Sequence, residues 1–143
     1  MNYVAKLAQY KKTNVTTATG VDLIVMCYEQ VIKSLRDAKS FYEQREYMQK
    51  GKALQNALNI ITELKAALDF ERGGEIAKNL EAIYNFIIKT LLEADIKGRL
   101  ESFDHAIQIL SELKEAWEKI ASNQGAGTRA NMHDKVEHLI AAG

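Results

Sequence analysis

The residues able to do chemistry in this chain are few, and their spacing does not suit chemistry. There are three histidines, His105, His133 and His138. A di-metal carboxylate centre in a helical protein needs Glu-x-x-His on two helices, because positions i and i+3 project both ligands from one inward face. No glutamate here is followed three residues later by a histidine. Asp134 and His138 are four apart and could share one metal, but both lie in the C-terminal tail and read as exposed polar residues. Cys27 is the single cysteine, so no internal disulfide can form. It has no histidine near it in sequence and sits beside an apolar helical face, the setting of a buried structural thiol rather than a nucleophile. There is no Gly-x-x-x-x-Gly-Lys loop and no dinucleotide glycine fingerprint. The Gly73-Gly74 pair is too short to cradle a phosphate and reads as a helix stop. The sequence therefore predicts no catalytic residue, no metal ligand set and no cofactor, and a protein that is not an enzyme.

Composition narrows the class further. The chain has 143 residues, 47% of them hydrophobic and 27% charged, enough for one domain with its own core at a prior of about 150 residues per domain. Proline is absent and glycine occurs eight times, which argues against the turn-rich all-β sandwiches. Nineteen basic residues balance nineteen acidic ones, so net charge gives no reason to bind nucleic acid, and no nucleic-acid motif is present. No run of about 18 apolar residues occurs, so no membrane insertion is expected. The opening residues MNYVAKLAQYKK lack the apolar centre of a signal peptide. With the lone thiol, these features predict a soluble, cytoplasmic protein.

The elements follow from apolar periodicity. Residues 1–19 carry Lys6, Lys11 and Lys12 and no acid, and Thr13–Thr19 is β-branched and turn-forming; this segment reads as an arm. Thr19 suits an N-cap, with Asp22 completing a capping-box pattern. A helix is expected over about 20–45, with Ile24, Val31, Leu35, Ala38 and Tyr42 on one face. A second, over about 48–70, carries Leu54, Ala57, Leu58, Ile61, Leu64 and Leu68. A third, over about 75–97, carries Ile76, Leu80, Ile83, Tyr84, Ile87, Leu91 and Ala94, and Gly98 ends it. A fourth, over about 100–122, carries Phe103, Ala106, Ile107, Leu110, Leu113, Trp117 and Ile120. Four such helices with short connections predict an all-α fold, an antiparallel four-helix bundle spanning residues 20–122. Residues 123–143 read as a flexible linker and a short C-terminal helix with Met132, Val136, Leu139 and Ile140 on one face.

Apolar residues remain after the core faces are filled. At about 100° per residue, Ile88 and Leu92 lie about 80–120° around the third helix from Leu80. Ile60 belongs to a side stripe of the second helix, and Leu23 and Met26 fall off the core face of the first. Two readings fit: a wide core that takes up more than one stripe, or a groove that receives a partner's apolar helix or extended segment.

The arm and first helix carry a family signature. Tyr10, then Asn14-Val15-Thr16-Thr17-Ala18-Thr19, then Asp22-Leu23-Ile24-Val25-Met26-Cys27-Tyr28-Glu29 resembles the N-terminal pattern of the FliS flagellin export chaperones. Further matches are Ile60-Ile61-Thr62-Glu63-Leu64, Leu68-Asp69, Gly73-Gly74-Glu75-Ile76-Ala77, Leu80 through Tyr84, and Leu113-Lys114-Glu115-Ala116-Trp117. The resemblance covers roughly residues 8–121. Two departures are local: Gly20 stands where the family usually has proline, and Cys27 where it usually has leucine. The resemblance implies a helical bundle that binds the C-terminal region of newly made flagellin. Binding would prevent premature polymerisation and keep flagellin competent for the flagellar export apparatus, a possible second partner. The surplus side stripes and the arm supply the candidate partner-binding residues, Leu7, Tyr10, Leu23, Met26, Ile60, Ile88 and Leu92. Leu7 and Tyr10, three apart, share a face if residues 2–11 form a turn of helix; they would then lie over a groove until the client arrives, the other reading being an arm free in solvent. Residues 122–143 fall outside the resemblance; the tail stripe fits a stand-in for the client, an unstructured tail or a contact between chains. The alternative to a chaperone is a helical homodimeric scaffold or regulatory interaction protein.

Overall fold

The computed structural model describes residues 20–123, which form four α-helices: α1 (Gly20–Glu43), α2 (Tyr47–Ala66), α3 (Phe70–Lys97) and α4 (Leu100–Asn123). The expected helices are all present, with their ends shifted by a few residues for identifiable reasons. The α1–α2 connection turns on Arg45, a non-glycine residue at φ 60°. The Arg45 N–H donates to the Tyr42 carbonyl and the Glu46 N–H to the Phe41 carbonyl, the two bonds that close a helix on a left-handed residue. Helix α2 stops at Ala66 rather than near residue 70, because Asp69 caps the next helix. Its Oδ1 accepts from the N–H groups of Glu71 and Arg72, both at 3.1 Å, satisfying donors that a helix start leaves open.

The glycine pair corrects the expectation of a helix stop. Helix α3 begins before it, at Phe70, and Gly74 forms a kink at φ 50°, ψ −122° inside the helix. Only glycine takes that conformation without steric cost. The first turn, Phe70–Gly73, therefore runs at an angle to the long segment that follows. Gly98 ends α3 as expected, at φ 66°, ψ 31°.

Helix α1 packs on α2 and α4, and α3 completes the ring between α2 and α4; α1 and α3 stand diagonally across it. Cross-links show the antiparallel sense. Lys50 near the start of α2 pairs with Asp95 near the end of α3, and Lys39 late in α1 pairs with Asp104 early in α4. The backbones approach most closely around α1, where small residues meet: Ser34 and Ala38 on α1, Ala57 on α2, Ala106 and Ala116 on α4. Buried Ser34 accepts from the Asn56 Nδ2 at 2.8 Å. Helix α3 presents Leu80, Ile83, Tyr84, Ile87 and Leu91 inward, and these larger side chains hold its axis further out.

Seventeen of the 25 residues on the expected core faces are buried, with Tyr84, Phe103, Leu35, Ile61, Leu110 and Leu113 among them, whereas Ile24, Tyr42, Leu58, Leu68, Ile76, Ile107, Trp117 and Ile120 are half-buried. Ile109 and Ala116 on α4 are buried as well, a second stripe that the expected face left out. Among the described residues, no helix is long and apolar enough to cross a membrane.

Candidate functional site

Among the described residues, α1 and α3 begin and α2 and α4 finish at one end of the bundle. A cleft of about 500 Å³ opens there, walled by Ile24, Leu64, Leu68, Ile76, Leu80 and Ile120. The kink at Gly74 and the early end of α2 shape it. They turn the first turn of α3 aside, so Arg72 and Gly73 stand at the cleft with Asp69.

The floor is polar. Tyr84 and Trp117 line the cleft, and behind them lies Tyr28, buried at 0% exposure. The Trp117 indole N–H donates to the Tyr28 hydroxyl at 3.2 Å, and the Tyr28 and Tyr84 hydroxyl oxygens are 2.5 Å apart. Burial pushes the Tyr28 phenol up to about 12, against the opposing pull of its hydrogen bonds to Tyr84 and Trp117. Burial likewise raises Tyr84 well above the usual range, helped by its neighbour Tyr28. Both phenols therefore stay protonated at neutral pH. Cys27 beside them is pushed up to about 11 by burial, so it stays a thiol and is a poor nucleophile.

A second apolar surface runs along α3. Asn85, Ile88, Leu92 and Asp95 follow one another at three- and four-residue steps, so they share a flank. That flank faces α2, because Lys65 of α2 donates to Asn85 at 2.8 Å and Lys50 of α2 pairs with Asp95. Ile88 packs partly into the core, Leu92 is 46% exposed, and Ile96 one turn further is 83% exposed. Leu58 of α2, seven residues before Lys65, meets the same seam and is partly buried against the core.

The candidate partner-binding residues divide accordingly. Ile88 and Leu92 come together on the α2–α3 seam. Leu23 and Met26 are half-buried on α1, which packs between α2 and α4 and stands diagonally from α3, so they are not part of that seam. Ile60 is a correction: at 0% exposure it is enclosed in the core and offers no surface to a partner. Leu7, Tyr10, the Thr19 cap and the tail with Asp134 and His138 lie outside the described residues. Among the described residues no group of three or more His, Cys, Asp or Glu side chains could hold a metal. His105 is exposed, with its ring edge-on to Phe86. The Tyr28–Tyr84–Trp117 cluster was missed as a unit; its signal in the sequence was polar-tipped aromatics, Tyr84 and Trp117 on expected core faces, which need partners for their tips when buried.

The profile of the family described as Flagellar protein FliS matches residues 3–124, the whole of the described bundle. The chain belongs to the FliS family. It is 39% identical over 108 residues to the flagellar secretion chaperone FliS of Salmonella typhimurium, covering 75% of this chain and 80% of that protein. It is 34% identical over 118 residues to the flagellar secretion chaperone FliS of Vibrio cholerae, covering 80% and 87%. Flagellar secretion chaperone FliSB of Pseudomonas aeruginosa is 31% identical over 119 residues. As a FliS family member, the chain carries the cleft and the α2–α3 seam within the segment it shares with its relatives, whereas residues 125–143 lie beyond the family match.

Proposed function

We infer that this FliS family protein is a flagellar secretion chaperone. It binds the C-terminal region of flagellin before export, prevents its premature polymerisation and hands it to the flagellar export apparatus. The observation that carries the reading is the family match over residues 3–124. The chemistry of the bundle supports it: the two apolar surfaces of the described helices suit a client that folds against them as amphipathic segments. The α2–α3 seam, with Ile88 and Leu92, is the proposed docking surface for a client helix. Leu23 and Met26, with Leu7 and Tyr10 of the arm, are proposed to extend the contact elsewhere. The site of action is proposed to be the cytoplasm.

The test is calorimetric titration of full-length flagellin, and of flagellin lacking its C-terminal region, into the full chain, with light scattering of the mixture. The expected result is a 1:1 complex with the full-length client only. A stable homodimer that does not bind flagellin would instead make the protein a helical scaffold.

A further inference from the structure

Among the described residues, Gly51 is the one glycine inside a helix that the fold does not call for. Gly74 and Gly98 hold positive φ angles, and a Cβ on Gly73 would stand 2.9 Å from that of Ala77. Gly51 sits one turn into α2 on ordinary helical backbone, and a Cβ there would meet nothing within 4 Å. A helical glycine lowers stability relative to alanine, because its unfolded chain has more freedom to lose. Nothing in the described bundle offsets that loss. What surrounds Gly51 is apolar and exposed. The Lys50–Asp95 ion pair joins α2 to α3, and Gly51 and Ile96 are the next residues along each helix. In antiparallel neighbours a step of about 100° turns both to the same side of the seam, and that side is the outer one, since both are exposed. Tyr47 and Met48 lie one turn before Gly51, 54% and 78% exposed, and Leu92 lies one turn before Ile96. Of the large hydrophobic side chains that the described residues expose, all but Phe70 thus stand around Gly51. The Gln55 amide, one turn further along α2, is drawn away to Asn59 at 2.8 Å, and the space above the glycine stays open.

We propose that Gly51 floors a notch, edged by Tyr47, Met48, Leu92 and Ile96, that receives a bulky apolar side chain from an amphipathic helix of the exported client. This rests on the chaperone reading and deepens it by naming the point of closest approach, since Leu92 already belongs to the proposed docking surface. Charge argues for an apolar occupant, because Lys50 and Asp95 beneath the notch are paired with one another. Size argues for a single helix rather than a second copy. Four side chains of about 150–250 Å² each, exposed between 46% and 83%, present roughly 500 Å². A stable dimer buries about 800 Å² on each partner, whereas the apolar stripe of a helix a few turns long matches the smaller area. The missing Cβ lets the two helix axes come to the short end of the roughly 8–10 Å range, and it leaves a hole that a large side chain fills as a knob.

The test compares the full chain with Gly51→Ala, by thermal melting and by calorimetric titration of the flagellin C-terminal region. Alanine is the better helix former, so the variant should melt a few degrees higher. Its affinity should nonetheless fall at least about fivefold, because the new methyl group overfills the hole. A glycine needed by the fold would lower both. The second measurement needs no variant: with labelled methionine methyl groups, the NMR signal of Met48 in the wild-type chain shifts when the client is added. Unchanged affinity in Gly51→Ala, a lower melting temperature, or an unmoved Met48 signal overturns the proposal. So does a light-scattering mass that rises with concentration in the wild type and not in Gly51→Ala, which would give the notch to a second copy. Failure of the wild-type chain to bind flagellin at all would instead remove the chaperone reading, and this proposal with it.

Discussion

Replacing Leu92 by glutamate separates docking surface from core. Complete burial of a leucine side chain is worth about 1.5–3 kcal/mol. Leu92 is 46% exposed, so losing its packing forfeits roughly 1 kcal/mol. The new carboxylate can turn to water and carries little desolvation cost. Lys89 three residues before it and Asp95 three residues after it offset one another as helix neighbours. The melting temperature should then fall by no more than about 4–8 °C, the change that 1 kcal/mol makes in a small domain. Ile60→Glu is the control, with the same charge placed where exposure is 0%. An unpaired carboxylate there costs several kcal/mol, a large share of the roughly 5–15 kcal/mol by which a domain of this kind is stable. Against a client helix on the α2–α3 seam, the Leu92→Glu carboxylate meets apolar surface, and affinity should fall at least about tenfold, or 1.4 kcal/mol. Circular-dichroism melts and calorimetric titration with the flagellin C-terminal region read the two effects separately. If Leu92→Glu melts as low as Ile60→Glu, Leu92 belongs to the core. If it melts and binds like the wild type, the seam is not the docking surface.

Three further outcomes concern the scaffold. Gly98→Ala should lower stability by about 1–2 kcal/mol, because the left-handed conformation at φ 66° is unfavourable for alanine; the added Cβ also sits 2.8 Å from the Tyr42 hydroxyl, which must swing aside, and a denaturant titration measures the sum. Asp69→Ala removes the cap that accepts from Glu71 and Arg72 and should cost about 0.5–2 kcal/mol, seen as a lower melting temperature. Stability should also fall in alkali. Burial raises Cys27 from 9.0 to about 11 and Tyr28 from 10.0 to about 12 in the folded chain. The folded state therefore holds these protons more tightly than the unfolded one. The stabilisation is complete below pH 9 and is lost as pH rises through about 12. A denaturant midpoint that stays flat across that window would contradict the burial of both groups.

The four helices and most of their core faces were legible in the residues alone, because a period of 3.6 leaves a repeating apolar stripe whether or not its partner is known. So were Cys27 as a buried thiol and Gly98 as a helix end, which depend on immediate sequence neighbours. The ends near Asp69 and Gly74 were not. Whether a glycine pair stops a helix or kinks it depends on what caps the turn before it, and Asp69 competes there with the end of α2. Ile60 and Leu92 show the same limit at the surface. Both lie on side stripes, and periodicity gives them equal standing. In the packed bundle, where α2 approaches α1 more closely than it approaches α3, Ile60 is fully enclosed while Leu92 stays half in water. The meeting of Tyr28, Tyr84 and Trp117 was likewise decided only in three dimensions, since residues 56 and 89 positions apart share one hydrogen-bond cluster only because three helices converge on it. Sequence settles which face of each helix turns inward; how closely the helices approach settles which of the remaining apolar residues a partner can reach.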